Sequence, residues 1–340
     1  MSEARSGNRW RVACVGPWAA PARELMRQVA PDEFEVVFSP VDDETRQSLI
    51  DTSDFVFAHA PITAGMIRHA ERLRLIQKWG IGVDKIDLAA AAAAGIAVTI
   101  TAGANASAVA EHTIMLMLAT LRRLAKADRS LREGRWIHAE LRIECFQLRG
   151  RTVGIVGFGN IGRMVARKLR GFEVRTIYYD PIRPEAQLER DLAVELVPFH
   201  DLLAQSDIVT LHFPGTPVNR HFLDAAALAR MKPDAFLINC ARGEVVEEAA
   251  LLEALRSGRL QGAGLDVFEH EPLARNSAFL DLENVVMTPH TAGSVLDNVQ
   301  NVARHGFANM LRMARGQPLP EADIVVSPPS ARAPKAVAAS

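Results

Sequence analysis

The chain has 340 residues, which at about 150 residues per domain predicts two domains and excludes a single small module. Apolar residues make up 49% and charged residues 23%, the balance of a folded globular protein, so wholesale disorder and fibrous repeats are excluded. Lys plus Arg total 39 against 40 for Asp plus Glu, a formal net charge of -1; without a basic excess, neither nucleic acid nor an anionic membrane surface is expected as a partner.

The polar start, MSEARSGNRW, lacks the pattern of a targeting segment. Short runs rich in Val, Ile and Phe then recur, each followed by a helix-favouring stretch, which is the pattern of parallel strands joined by crossover helices. Strands are predicted near 12–15, 35–38, 55–58, 75–78 and 97–100, with helices in the gaps. The six alanines at 89–94 read as helix, not linker, because Ala has the highest helix propensity and Gly95 supplies a stop. Asn105 or Ser107 is expected to cap a long helix through Leu121 and beyond, its apolar face built from Ile114, Met115, Leu118, Leu121 and Leu124. The apolar run at 113–121 is well short of the roughly 18 residues that span a bilayer.

A second set of six strands follows near 152–156, 174–179, 208–211, 235–239, 264–267 and 285–288, enough for a full dinucleotide-binding sheet. From Pro318 the chain turns Pro- and Ala-rich, and the tail at 327–340 is expected to be mobile. Cys14, Cys145 and Cys240 are odd in number and far apart. They suggest neither a disulfide framework nor a metal cluster, and a reducing, cytoplasmic setting is the natural expectation.

One motif carries chemistry by its position. TVGIVGFGNIG puts Gly157, Gly159 and Gly162 between a predicted strand and a predicted helix opened by Asn160 and Ile161. Such a GxGxxG lets a tight turn bring backbone amides and a helix N-terminus against a pyrophosphate. Asp180 lies 23 residues after Gly157 at the tip of VRTIYYD, where a carboxylate can accept from ribose hydroxyls and repel a 2'-phosphate. NAD is the expected cofactor; Arg183, three residues on, keeps NADP open.

The segments GFGNIG, LHFPGT, NCARGEVV, GAGLDVFEHEP and TPHTAGS occur in that order, and together they resemble the D-isomer-specific 2-hydroxyacid dehydrogenases over roughly residues 75–316. The resemblance implies an α/β protein of two doubly wound parallel-sheet domains, a flavodoxin-like substrate domain at 1–103 and 293–326 and a Rossmann NAD-binding domain at 104–292, with a cleft between them. It implies that Arg242 grips the substrate carboxylate, Glu271 orients a histidine, and His290 exchanges the hydroxyl proton. Each residue type suits its role: imidazole titrates near neutral pH, a carboxylate can hold one ring nitrogen, and guanidinium matches a carboxylate with two parallel hydrogen bonds. His212 and His270 are the main alternatives to His290; His212 reads as lining the cofactor site and His270 as a bystander.

The same resemblance puts Asp266 at the nicotinamide carboxamide, with Cys240, Ala241 and Gly293 nearby, and lets Thr210, Pro214 and Thr216 wall the site. Cys240 is then a lining residue, with no base evident to make it a nucleophile. KWGIGVDKID resembles the family's substrate loop, so Gly80 and the amides of Ile81, Gly82 and Val83 are expected at the substrate. Lys78 and Trp79 depart from better-known members: either they meet a second anionic group and narrow the pocket, or Lys78 ends a strand in solvent and Trp79 fills the core.

The expected activity is hydride transfer between NAD(H) and a small D-2-hydroxyacid or 2-oxoacid. Formate oxidation is less favoured, because formate dehydrogenases carry Gln where this chain has Glu271. A second class of function, an NAD(H)-sensing binding protein of corepressor type, shares the fold. The long helix from Asn105 and residues 131–136 resemble the family's dimer region, so a homodimer is expected. No regulatory domain is expected after Gly316, where 24 residues remain.

Overall fold

The computed structural model describes residues 9–39 and 43–327. The chain opens with β1 (Trp10–Val15), α1 (Ala20–Val29), β2 (Phe34–Phe38), α2 (Asp43–Asp51), β3 (Phe55–Ala58), α3 (Ala64–His69), β4 (Leu75–Lys78), α4 (Leu88–Ala94) and β5 (Ala97–Thr99). Three helices follow, α5 (Ala106–Leu121), α6 (Leu124–Arg132) and α7 (His138–Glu144). The alternation then resumes with β6 (Thr152–Val156), α8 (Asn160–Leu169), β7 (Arg175–Tyr179), α9 (Ala186–Leu192), β8 (Val194–Leu196), α10 (Phe199–Gln205) and β9 (Ile208–Leu211). It continues through α11 (Ala225–Arg230), β10 (Ala235–Asn239), α12 (Glu248–Arg256), β11 (Leu260–Leu265) and β12 (Val285–Met287), and closes with α13 (Val299–Ala314) and β13 (Ile324–Val326).

Two compact units result: residues up to Asn105 together with those from Leu296 onward, and Ala106–Val295. In the first, the strand order is β13-β5-β4-β3-β1-β2, parallel except for β13, which pairs antiparallel with β5. Without that edge strand the order is 2-1-3-4-5, the flavodoxin-like winding. In the second, the order is β12-β11-β10-β9-β6-β7-β8, all parallel, which is the Rossmann order with a seventh strand. The protein is therefore α/β with two doubly wound sheets.

Helices cover both faces of each sheet, so central strands are buried throughout: β3, β9 and β10 have every residue inside. That is why their sequences, FVFA, IVTL and AFLIN, are continuous apolar runs with no alternation. Each unit holds two apolar clusters, one centred on Val56 and Ile76 and another on Phe57 and Phe307 in the first, one on Leu237 and Leu265 and another on Ile155 and Ile238 in the second. The alanine run forms α4 as expected, capped by Asp87 accepting from Ala90 N and stopped by Gly95 at φ 65°.

Several expectations are corrected. The long helix ends at Leu121, because Arg123 turns left-handed at φ 51° and α6 starts afresh at Leu124. Neither proposed cap acts there: Asn105 Oδ1 is buried without a hydrogen bond, and Ser107 Oγ donates to Glu111. The fifth strand of the second sheet is Leu260–Leu265, not 264–267, and β8 brings that sheet to seven strands. After Pro318 the chain still builds β13. The expectation of a mobile tail falls, from residue 328, outside the described residues. Among the described residues, no helix is long and apolar enough to cross a membrane.

Candidate active site

β6 ends at Val156 and α8 begins at Asn160, so the three residues between them make the predicted turn. Gly157 has φ 90°, and a Cβ there would lie 2.6 Å from the His212 backbone; at Gly162 it would lie 2.2 Å from the Gly157 carbonyl. Backbone cannot give way, so both positions exclude side chains. Gly159 is the opposite: a Cβ there would meet nothing within 4 Å. It is the N-cap of α8 with no side-chain cap. The amides of Asn160, Ile161 and Gly162 therefore stand at a helix N-terminus without intrahelical partners, facing open space.

Asp180 follows β7. Its Oδ2 accepts from Phe158 N at 2.7 Å and its Oδ1 from Ile182 N at 2.8 Å, which fixes the carboxylate beside the glycine turn with acceptor capacity to spare. His212 donates its backbone N–H to Val156 O, and its Nε2 is 2.9 Å from Thr210 Oγ1. Its Nδ1 is buried without a partner, and burial pushes the ring's pKa down to about 3, so it is neutral at ordinary pH. An uncapped helix end, open space at Gly159 and an orphaned buried nitrogen fit a polar, phosphate-bearing ligand such as a dinucleotide. Pro214 and Thr216 lie on the exposed turn after β9, their carbonyls accepting from Asn219.

At the end of β10, Asn239 acts as a local brace: its Oδ1 accepts from Ala241 N and its Nδ2 donates to Arg242 O. Arg242 Nη1 donates to Ala241 O at 2.6 Å. Cys240 is buried, and burial pushes its thiol up to about 12, which leaves it protonated and unreactive as a nucleophile.

Asp266, at the end of β11 and 1% exposed, is the hub of the next loop. Oδ1 accepts from Thr288 Oγ1 at 2.6 Å and Thr291 N at 2.8 Å; Oδ2 accepts from Ala292 N at 2.9 Å, beside Gly293. His112 on α5 reaches Thr288 Oγ1 at 2.9 Å. The carboxylate is thus engaged chiefly with the loop after β12, and Oδ2 carries fewer of these bonds than Oδ1. The loop it holds carries His290, whose backbone N–H donates to Asp266 O at 2.7 Å and whose φ is 54°. A left-handed histidine is strained, and such strain persists only where the surroundings impose it. The ring is 47% exposed, with Nδ1 2.8 Å from Glu271 Oε2. Glu271 Oε1 accepts from Phe268 N at 3.3 Å. His270 is exposed on the same loop.

Arg242, Asp266 and His290 follow three successive strands of one sheet edge, β10, β11 and β12. A Cβ at Gly243 would lie 1.9 Å from the Phe268 carbonyl carbon, so the loops bearing Arg242 and Glu271 pack backbone to backbone. Gly157, Asp180 and His212 end β6, β7 and β9 on that same C-terminal edge, where open α/β sheets bind ligands. Among the described residues, no group of three or more His, Cys, Asp or Glu is arranged to hold a metal.

The remaining candidates lie in the first unit. Lys78 ends β4 with Nζ 3.3 Å from Ala58 O. Trp79 packs edge-on against Trp18 and Phe57, ring centroids 4.8 and 5.3 Å away, which is a core-filling role. Gly80, at φ 91°, exchanges hydrogen bonds with Thr101 Oγ1; it lies in a bend with Trp79 and Ile81, and Gly82 and Val83 follow in irregular chain. The sequence reading missed His112, Thr288 and Asn239. Asn two residues before a backbone amide was a legible turn signal; His112 and Thr288, 176 residues apart, offered none.

A family model described as D-isomer specific 2-hydroxyacid dehydrogenase, NAD binding domain, matches residues 114–292. The chain is 38% identical over 297 residues to a glyoxylate reductase of Korarchaeum cryptofilum, covering 86% of this chain and 87% of that protein. It is 38% identical over 264 residues to a D-3-phosphoglycerate dehydrogenase of Archaeoglobus fulgidus, covering 78% of this chain but only 50% of that longer relative. Among solved structures, the NAD-dependent formate dehydrogenase of Staphylococcus aureus in complex with NAD superposes with a TM-score of 0.81 at 29% identity, covering 94% of this chain and 99% of that one. A family match over more than half the chain, and a 38% identical relative covered over most of both chains, lead to one conclusion: the chain belongs to the D-isomer-specific 2-hydroxyacid dehydrogenases and is an NAD-dependent oxidoreductase.

Proposed function

We propose that the protein reduces a small 2-oxoacid to the D-2-hydroxyacid, and runs the reverse reaction, with His290 as the proton donor and acceptor, Glu271 orienting it and Arg242 anchoring the substrate carboxylate. The observation that carries this reading is the 2.8 Å bond between His290 Nδ1 and Glu271 Oε2 on a half-exposed ring. That bond commits Nδ1 to the carboxylate and leaves Nε2 for substrate. NAD(H) supplies the hydride chemistry. In reduction the carbonyl carbon receives the hydride while His290 delivers a proton to the carbonyl oxygen; in oxidation it takes that proton back. Glu271 stabilises the imidazolium whenever His290 holds the proton.

Arg242 offers a planar guanidinium fork to the carboxylate. The amides of Asn160, Ile161 and Gly162 would hold the pyrophosphate, Asp180 the adenosine ribose, and His212, Cys240, Ala241, Asp266 and Gly293 the nicotinamide end. On this reading the Ala106–Val295 unit is the cofactor domain and the other the substrate domain. Ile81, Gly82 and Val83 would offer amides to the substrate carboxylate, and Lys78 at the end of the preceding strand would bear on its charge.

Oxidation of NADH with glyoxylate, hydroxypyruvate and pyruvate tests the proposal. Turnover in wild type, lost in His290→Ala with NADH binding intact, is the expected result. Tight NADH binding without turnover on any 2-oxoacid would favour the NAD(H)-sensing alternative. A homodimer is part of the proposal. Trp136 is 80% and Ile143 83% exposed, with Leu124 and Leu131 also outside, a large apolar set for open solvent. Sedimentation should give twice the 37.2 kDa chain mass, and Trp136→Glu with Ile143→Glu should shift it to monomer.

A further inference from the structure

The loop after Asp180 contains a clamp that the reaction itself does not call on. Arg183 Nε lies 3.0 Å from Glu189 Oε1 and its Nη2 2.9 Å from Oε2, a two-point ion pair between the loop and α9. The Tyr178 hydroxyl, from β7, donates to the same Oε1 at 2.5 Å. Arg183 is 63% exposed but Glu189 only 11%, so the carboxylate is the fixed member and the guanidinium is drawn onto it.

We propose that Glu189 is a cofactor-specificity residue: by holding Arg183 in a two-point ion pair braced by Tyr178, it withholds that cation from a phosphate at the adenosine 2' position and so enforces NAD over NADP. The inference rests on NAD as the cofactor and on Asp180 marking the ribose position.

The competing forces favour the clamp. An exposed pair joined at one point contributes little and a phosphate would displace it. Here two parallel bonds preorganise the fork on a carboxylate whose side chain is largely covered and that a third donor holds in place, so releasing Arg183 would cost Glu189 two of its three hydrogen bonds. Hydrogen bonds from Arg183 and then Tyr178 hold the Glu189 carboxyl down at about 2, so the clamp stays ionised across the working pH range. Charge counting agrees. With the clamp closed, Asp180, Arg183 and Glu189 sum to -1, which repels the roughly two negative charges of a phosphate monoester; neutralising Glu189 brings the sum to zero and frees the guanidinium.

The experiment measures dissociation constants for NADH and NADPH, and for 5'-AMP and adenosine 2',5'-bisphosphate, on the full chain by calorimetry. Glu189→Gln keeps the shape and an acceptor for Tyr178. It is expected to improve the NADPH-to-NADH affinity ratio, and the bisphosphate-to-AMP ratio, about tenfold, with NADH affinity unchanged. Arg183→Ala alone is expected to leave the ratios as in wild type, and adding it to Glu189→Gln should erase the gain. Tyr178→Phe, which removes only the brace, should shift the ratios in the same direction by a smaller factor and serves if Glu189→Gln does not fold. Ratios within twofold of wild type in the folded Glu189→Gln protein, or in Tyr178→Phe where that variant stands in, would overturn the proposal. So would a loss of NADPH affinity in Arg183→Ala alone. Loss of NADH binding in wild type would instead strike at the cofactor assignment.

Discussion

Two histidine–carboxylate pairs in this molecule look alike on paper. His290 and Glu271 are 19 residues apart and 2.8 Å in contact; His305 and Asp323 are 18 residues apart and 2.6 Å in contact. Their surroundings differ. Asp323 is buried and also accepts from Ala102 N and Asn309 Nδ2, so it joins α13, the chain after β5 and the segment leading into β13. Its histidine sits on a regular helix. Glu271 is steadied by the Phe268 amide, and its histidine stands in a left-handed conformation on a loop that Asp266 pins by two amides and a hydroxyl. A carboxylate whose lone pairs are spent on neighbouring elements is a structural brace. One that spends an oxygen on a half-exposed ring at a sheet's C-terminal edge gives the arrangement on which the proposed proton transfer rests.

Matched substitutions would break or sharpen that contrast. His290→Ala should lower kcat by about 10² to 10⁴ with the NADH dissociation constant and Tm unchanged, whereas His305→Ala should lower Tm and leave kcat within about twofold. Comparable kcat losses in both would dissolve the distinction. Removing the carboxylates is the second comparison. Asp323→Ala strands several buried donors and should cost about 3 kcal/mol of stability in urea unfolding. Glu271→Gln should leave stability nearly unchanged and reduce kcat about tenfold, the loss of about 1.4 kcal/mol of imidazolium stabilisation.

The most gradual effect, spread over several pH units, concerns a third histidine. His212 has a folded pKa near 3 against 6.5 when unfolded, so between those values the unfolded chain binds the extra proton. Stability contributed by the neutral ring is complete above about pH 6.5 and is lost as pH falls toward 3, by at most about 1.4 kcal/mol per pH unit. His212→Asn should flatten the unfolding free energy across that window. An unchanged slope would show that the ring is not kept neutral by burial.

Much of this could be read from residue order. Strands such as FVFA and AFLIN are legible because burial on both faces demands unbroken apolar runs. The glycines were legible because only a missing Cβ fits against the His212 backbone and the Gly157 carbonyl. The family motifs carried Arg242, Glu271 and His290. What escaped had no local signature. β8 and β13 are three-residue edge strands of partial burial, too short for a period to show. LQGAGL carries Gln and two glycines, which moved the expected strand toward the more apolar residues after it. Arg123 breaks an apolar series that continues without a gap into Leu124.

Residue types, their spacing and the alternation of strand and helix thus determined the α/β class and the glycine turn, because those depend on short-range sterics and on which side chains avoid water; the two windings were implied only by the family motifs. The family resemblance already implied Glu271 with His290; tertiary structure alone decided Asp323 with His305 and Glu189 with Arg183, and which further donors each acid holds. Glu271 with His290, Asp323 with His305 and Glu189 with Arg183 are the same attraction at similar range, told apart only by the donors that other parts of the chain bring to each acid.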